Sequence, residues 1–489
     1  MLFCRNIQYR KSLQTLINIS IFTYTINYIK IALMHLFHYT KQPFGLFSVT
    51  VAIRKYERTI YMNIIIKNIN TLIGSGDNKE LKTTNICITD DTITALGDIP
   101  DNFTADETID GNNLCAIPGL INAHTHSYMS FMRNVADDLP FMEWLFGRVD
   151  PIEQRMQDTD AYWGAKLAIL EMMKSGTTCF NDMQMHIGQT SRAVLESGMR
   201  AVISRGLVGQ GDDETGRTKL AEAFQEINEF KGNDRLTFML GPHAPYTCDE
   251  AYLNIVAGKA QEHNLGIHMH LSESLTEIEN CQKDYGCTPI ELAFRSGLFK
   301  SRFIAAHCVQ ATDADIRLLA DNNVSVVTNP ASNMKLGNGF APIPKMMAAG
   351  INVCIGTDGA ASNNSLNLIH EMSLLALVHK GLNHDPECVS ANKIFDFATI
   401  NGATALGLQD KIGSIEVGKK ADIVLINTHN PQLWPTNNLI SALSYSANGS
   451  EVDTVIINGK ITMKHREVLT LDEEKIYYET GRIMERLKG

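Results

Sequence analysis

Hydrophobic residues fall into two rhythms along this chain, and each predicts a different kind of element. From 63 to about 110, short β-type runs (NIIIKNI, NICITDD and TITALGDI) are broken by Gly, Asn and Asp, the residues that favour tight turns. The same style returns near the C-terminus in ADIVLIN (421–427) and VDTVIINGK (452–460). Two β-rich ends around a long middle predict one small composite β-sandwich domain, assembled from 62–116 and 416–489.

The middle, 117–415, alternates short apolar runs with longer stretches of helical spacing such as DAYWGAKLAILEMMKSG and EAYLNIVAGKAQEHN. Eight runs read as buried parallel strands, because each is apolar on both faces. The first four are AIPGLINAH near His124, GTTCFND near Asp182, RAVISRG near Arg205 and LTFMLGPH near His243. The second four are GIHMHLSE near His270, RFIAAHC near His307, VSVVTNP near Asn329 and INVCIGTD near Asp358. Eight β/α units predict a TIM-type (β/α)8 barrel, an α/β fold whose active site is built at the C-terminal ends of the strands. Strands that merely end at the surface would meet a mixture of Ser, Lys, Glu and Asn. Here four of the eight ends carry histidine.

Residues 1–61 have another character. The stretch 13–39 is rich in Ile, Tyr, Leu and Phe, but Asn18, Asn27 and Lys30 interrupt it. A membrane-spanning helix wants roughly 20 mostly apolar residues, and no small-residue cleavage site marks a secretory signal. At Met62 the text changes to a strand and turn, MNIIIKNINTLIGSG. The expectation is an atypical extension with a start misassigned upstream of Met62, and a membrane-associating segment is the alternative.

Composition narrows the function classes. Of 489 residues, 44% are apolar and 20% charged, with 43 basic against 54 acidic and a net charge of −11. Nucleic-acid binding needs clustered positive charge, so a small-molecule partner is expected. Ten cysteines run from Cys4 to Cys388 without a CxxC pair, which fits reduced thiols in a cytoplasmic protein. Oligomeric state is not legible, although exposed barrel helices are compatible with a homo-oligomer.

The strand ends also carry a metal-type constellation. His124 and His126 form an HxH pair, and residues i and i+2 of a strand share a side. His270 ends strand five and Asp358 ends strand eight, which barrel closure sets beside strand one. Three neutral imidazoles and one carboxylate suit one divalent ion, Zn²⁺ first and Fe²⁺ or similar next. Cys308 lies beside His307 but is disfavoured as a ligand by strand alternation, and His268 is expected one layer deeper. An ion with an open position lowers the pKa of a bound water toward about 7. Glu273, three residues after His270, then stands as proton donor, and His307 as a hydrogen-bonding partner of the water or intermediate.

These motifs resemble the amidohydrolase superfamily, and within it the 5-methylthioadenosine/S-adenosylhomocysteine deaminases. The likeness is carried by PGLINAHTH (118–126), EWLF (143–146), PIE (151–153), GPHAPY (241–246), HLSE (270–273), AAHC (305–308), NPASNMKLGNGFAP (329–342) and GTDGAASNNSLNL (356–368). It runs from about Met62 to the C-terminus. The resemblance implies replacement of the 6-amino group of a 6-aminopurine nucleoside by oxygen, releasing ammonia. It implies that Glu273 handles the proton at ring N1 while His307 and Asp358 orient and deprotonate the water. By the same pattern His243 would donate to purine N3, Glu153 would accept from the ribose hydroxyls, and Trp144 would cover the adenosine or its thioether arm. Arg205 and Arg217 match arginines directed at a homocysteine carboxylate. A histidine, not a lysine, ends strand four, which points to one metal rather than two. The alternatives are a deaminase of guanine, a pyrimidine or a triazine, and, from another class, a non-catalytic assembly protein of the same fold.

Overall fold

The computed structural model describes residues 62–488, so the expectation for 1–61 lies outside the described residues. The eight apolar runs of the middle section form eight parallel strands: β1 (Leu120–Thr125), β2 (Thr177–Gln184), β3 (Arg200–Leu207), β4 (Leu236–Pro242), β5 (Gly266–Leu271), β6 (Phe303–His307), β7 (Ser325–Thr328) and β8 (Val353–Ile355). They pair in chain order from β1 to β8. Helices follow the strands and start where the sequence offers a cap: Asp213, Asp249, Ser274 and Thr312 each accept the backbone N–H three residues on.

The barrel closes between β8 and β1 without a regular ladder. The N–H groups of Thr357 and Asp358 both donate to the carbonyl of His124, at 3.1 and 3.0 Å. Beside them the Asn122 amide donates to the Thr357 hydroxyl at 2.7 Å and accepts from the Thr357 N–H at 3.0 Å. Such an approach of backbones needs a residue without a side chain. A Cβ on Gly356 would lie 2.7 Å from the His124 carbonyl and 2.5 Å from Asn329 Oδ1.

The two β-rich ends meet in a second sheet of nine strands. Ile423–Asn427 runs antiparallel to Leu114–Pro118, which pairs in turn with Ile64–Ile73. Ile423 and Leu425 pack with Ile64, Ile66 and Ile88 in a core of the sheet's own, whereas Val424 and Ile426 join the main barrel core. This is why ADIVLIN is apolar at both parities: both of its faces are covered.

Two details differ from the sequence expectation. AIPGLINAH reads as one strand, yet the chain divides it at Gly119, giving Leu114–Pro118 to the second sheet and Leu120–Thr125 to the barrel. A Cβ on Gly119 would sit 2.0 Å from the Thr178 hydroxyl, so this crossover admits only glycine. The C-terminal segment also ends as a helix, Glu473–Lys488, which buries Ile476, Thr480, Ile483 and Leu487. Its three- and four-residue spacing is helical, and the strands before it masked that signal. Among the described residues no helix is long and apolar enough to cross a membrane.

One buried ion pair ties the foot of the barrel to the second sheet. Arg200, at the start of β3, is 2% exposed and grips Asp422 through two N–H groups at 2.7 and 3.1 Å. The same guanidinium donates to Asn458 Oδ1 at 2.8 Å and to the Asp234 carbonyl at 3.0 Å. Removing one partner of a fully buried pair leaves an uncompensated charge, which costs about 3–5 kcal/mol. Asp422→Ala is therefore expected to lower the midpoint of thermal unfolding clearly, whereas Lys345→Ala, which breaks a surface pair with Asp313, leaves it in place.

Candidate active site

Strand direction decides which polar side chains converge. His124 and His126 of the β1 end, His270 of β5, His307 of β6 and Asp358 beyond β8 all line or underlie one mouth of the barrel. His126 Nε2 lies 3.2 Å from His270 Nε2 and 3.3 Å from Asp358 Oδ1. His124 Nε2 lies 3.4 Å from the same carboxylate oxygen. Two overlapping trios, His124–His126–Asp358 and His124–His270–His307, keep their ligand-type atoms within 4.8 Å of one another. The four residues expected to hold a metal are thus together, and His307 stands with them.

The protons of these rings are assigned by their other ends. His126 Nδ1–H donates to the Met183 carbonyl at 2.7 Å, and His270 Nδ1–H donates to the His243 carbonyl at 2.8 Å. A carbonyl only accepts, so in the neutral rings both Nε2 atoms carry lone pairs, and these face each other. His124 Nε2 is buried with no hydrogen-bond partner among the described residues. Its Nδ1 meets His268 Nε2 at 2.8 Å, one layer deeper, where alternation predicted His268 to lie. Lone pairs and a carboxylate converging in a buried space require a cation. A proton can serve: burial lowers the His126 pKa, but the hydrogen bond and charge of Asp358 outweigh it and raise it to about 9. A divalent ion fits the same donor set.

The carboxyl groups of this mouth are driven apart. Burial pushes Asp358 up, yet the His124 and His126 imidazoles, 3.4 and 3.3 Å from Oδ1, hold it well below the usual carboxylate range. Glu273 is pushed well above that range by burial and by the Asp358 charge. Asp358 is further fixed by the Ser332 and Ser362 hydroxyls, which both donate to Oδ2 at 2.7 Å. His307, lowered by burial, donates through Nδ1 to Asn333 Oδ1 at 2.8 Å and turns Nε2 toward Glu273 Oε2, 3.7 Å away.

A cavity opens over these groups. Its polar wall includes Glu153 and His243, and its apolar wall includes Trp144, Phe141, Tyr246 and Met183. Trp144 belongs to a π-helical turn, Glu143–Val149, and its indole N–H donates to the Ala361 carbonyl at 3.1 Å. His243 is lowered to about 4 by burial and so is neutral, with Nδ1 3.0 Å from the Thr247 hydroxyl.

The two arginines are not brought to this wall. On β3, Ser204 and Gly206 face the interior: the Ser204 hydroxyl approaches His268 at 3.3 Å and Gly206 lines the cavity. Alternation turns Arg205 outward, where it donates to Glu222 at 2.7 Å and lies 3.7 Å from Glu226 on the helix Glu214–Phe230. Arg217 is on that same helix, more than half exposed and paired with Asp212. Sequence reasoning also passed over three supports. The Tyr128 hydroxyl donates to Glu153, Asn338 donates to Glu273 at 3.1 Å, and Glu277 accepts from the backbone beside Glu273. Glu277 was legible, since S-x-x-E at 274–277 is a capping-box pattern. Nothing in local spacing marks the other two.

Residues 115–462 match the model of the Amidohydrolase family. The 5-methylthioadenosine/S-adenosylhomocysteine deaminase of Thermoanaerobacter pseudethanolicus is 46% identical over 419 residues, covering 85% of this chain and 97% of its own length. A protein of the same description from Desulforudis audaxviator is 47% identical over 393 residues, covering 80% and 91%. Among solved structures, a zinc-bound adenosine deaminase from Xanthomonas campestris superposes with a TM-score of 0.83 at 31% identity, covering 87% of this chain and 99% of that one. The protein is thus a hydrolase of carbon–nitrogen bonds of the deaminase type, and the chain belongs to the amidohydrolase family.

Proposed function

We propose that this enzyme hydrolyses the 6-amino group of a 6-aminopurine nucleoside (5-methylthioadenosine, S-adenosylhomocysteine or adenosine) to the inosyl product and ammonia, with one divalent ion. The observation that carries the reading is a pair of carboxyl groups with opposite proton preferences on one cavity wall: Asp358 held low and Glu273 held high. Pairs whose environments separate their pKa values divide base from acid.

His124, His126, His270 and Asp358 would hold the ion, with Zn²⁺ first and Fe²⁺ or a similar ion next for this donor set. When bound, it supplies a Lewis acid that makes water acidic near neutral pH. Asp358 takes a proton from the attacking water. His307 orients that water through its free Nε2. Glu273, protonated beforehand, gives its proton to ring N1, so that negative charge does not accumulate on the purine as C6 becomes tetrahedral. The proton taken by Asp358 then passes to the amino group, the C6–N bond breaks and nitrogen leaves as ammonia, while the hydroxyl proton left on C6 returns to Glu273 and oxygen remains on the ring. His243 hydrogen-bonds the far side of the base at N3. Glu153, steadied by the Tyr128 hydroxyl, accepts from the ribose 2′ and 3′ hydroxyls, and Trp144 covers the sugar or thioether arm. For the homocysteine carboxylate, Arg205 and Arg217 would have to exchange their present glutamate and aspartate partners for substrate.

Chelation is expected to abolish deamination and metal addition to restore it. His126→Ala is expected to lose both turnover and bound metal while the far-ultraviolet circular dichroism is unchanged. Activity that survives complete metal removal, measured by absorbance at the purine band, overturns the reading. Glu273→Gln is expected to keep its metal and lose kcat by about 10²–10⁴-fold, the usual weight of a positioned proton carrier. Glu153→Gln is expected to cost about 10- to 100-fold in kcat/KM on nucleosides, as for a charge-assisted hydrogen bond, and almost nothing on free adenine. A screen in which guanine is preferred over every adenosine thioether overturns the substrate assignment.

A further inference from the structure

We infer that Glu277 is a positioning residue for the reaction: its buried carboxylate holds the backbone of Ser272 and Glu273 so that the Glu273 side chain faces the cavity. The inference rests on the reading of Glu273 as proton carrier and extends it to a residue that touches neither substrate nor metal.

The chain has two residues, Ser272 and Glu273, in which to pass from Leu271, the last of β5, to Ser274, the cap of the next helix. Glu273 lies within that turn, so its aim depends on backbone that neither element controls. Ser272 adopts φ +52°, in the left-handed region that non-glycine residues rarely enter. The turn leaves two N–H groups pointing inward, and a buried donor without a partner is costly. Glu277 meets both: Ser272 N–H donates to Oε1 at 3.0 Å and Glu273 N–H to Oε2 at 2.6 Å.

This differs from ordinary capping. In a capping box the glutamate at the third helical position bonds the N–H of the cap residue itself. Here Ser274 Oγ accepts from Glu277 N–H at 3.2 Å as expected, but the Glu277 carboxylate reaches past Ser274 to the two residues before it. The helix is therefore capped by Ser274, and the carboxylate is spent on the turn that carries Glu273. The far end of Glu273 is held separately: Asn338 donates to Oε1 at 3.1 Å, and Gln310 fixes Asn338 through its carbonyl at 2.6 Å. With backbone and one oxygen fixed, Oε2 is left toward His307 and the cavity.

The substitution Glu277→Gln keeps the volume but turns an NH2 group toward one of the two N–H donors, so one bond is lost. A misplacement of about 1 Å can cost about 100-fold in rate, and the test is steady-state kinetics of the zinc-loaded enzyme with 5-methylthioadenosine. The expected result is a fall in kcat of about 10- to 100-fold, with KM and bound zinc per chain unchanged. Glu277→Asp, whose shorter arm retains one bond, should recover part of the rate and serves also if the glutamine variant fails to fold. Ser274→Ala removes the helix cap alone, so it should lower the unfolding midpoint and leave kcat near wild type. Wild-type kcat in Glu277→Gln, or an equal kcat loss in Ser274→Ala, overturns the inference. Glu273→Gln separates it from the reading beneath it: an active Glu273→Gln removes the proton-carrier assignment and this inference together. An inactive Glu273→Gln beside a fully active Glu277→Gln removes this inference alone.

Discussion

The active-site mouth depends on one electrostatic constraint: the Asp358 carboxylate, buried in the barrel mouth, facing imidazole nitrogens whose protons are committed elsewhere. In a low-dielectric space an ionised carboxylate is costly unless matched by positive charge. The backbone carbonyls of Met183 and His243 take the Nδ1 protons of His126 and His270, so in each neutral ring Nε2 is left as a lone pair at the mouth. The arrangement is unfavourable as a set of neutral groups and becomes favourable around a cation. Across from it, burial first and the Asp358 charge second push Glu273 above the usual carboxylate range. The same buried space thus sets the demand for a cation beside Asp358 and the weakened acidity of the group across from it.

Holding that placement strains the backbone. His307, Ser272 and Asp358 all have positive φ, at +71°, +52° and +62°, and each stands at the C-terminal end of a barrel strand. Such conformations cost on the order of 1–3 kcal/mol each and persist only where surrounding bonds over-determine them. Those bonds are present: Asn333 holds the His307 ring, Glu277 holds the Ser272 turn, and the Thr125 hydroxyl donates to the Asp358 carbonyl at 2.9 Å. The seam between β8 and β1 has a double use, because the same His124 that offers Nε2 to Asp358 accepts the Asp358 N–H through its carbonyl.

What the sequence made legible follows from this physics. Parallel strands covered on both faces must be apolar throughout, so all eight barrel strands stood out, and their polar ends exposed the metal-type residues. Local spacing also placed His268 one layer below the metal-type residues, where it meets His124. It could not divide AIPGLINAH between two sheets, because the division depends on what lies beside Gly119 in space. Nor could it find Tyr128 or Asn338, which reach Glu153 and Glu273 from a short 3-10 helix, Ser127–Met132, and from a loop, neither with a periodic signature. Arg205 shows a finer limit. It sits at a strand end and matches a family position, yet the alternation that brings Ser204 and Gly206 inward sends its side chain to Glu222.

The two halves of the cavity are supported in different ways, and this bears on how chemistry and recognition can vary separately. The metal-type residues, Glu273 and His307 stand on barrel strand ends locked into the main core. Trp144, Phe141 and Glu153 instead lie on the long excursion between β1 and β2. That excursion packs in a separate apolar cluster with Tyr128, Met129 and Ile152, into which Ile483 and Leu487 of the C-terminal helix insert. A change in this cluster can move the cavity wall formed by Trp144, Phe141 and Glu153 without touching the strands that fix Asp358 and Glu273. A change at a strand end has no such freedom, because His126, His270, His307 and Asp358 are each hydrogen-bonded to the strand or turn beside their own. That wall is accordingly free to vary with the excursion, while the polar cluster of Asp358 and its histidines stays tied to the closure of the barrel.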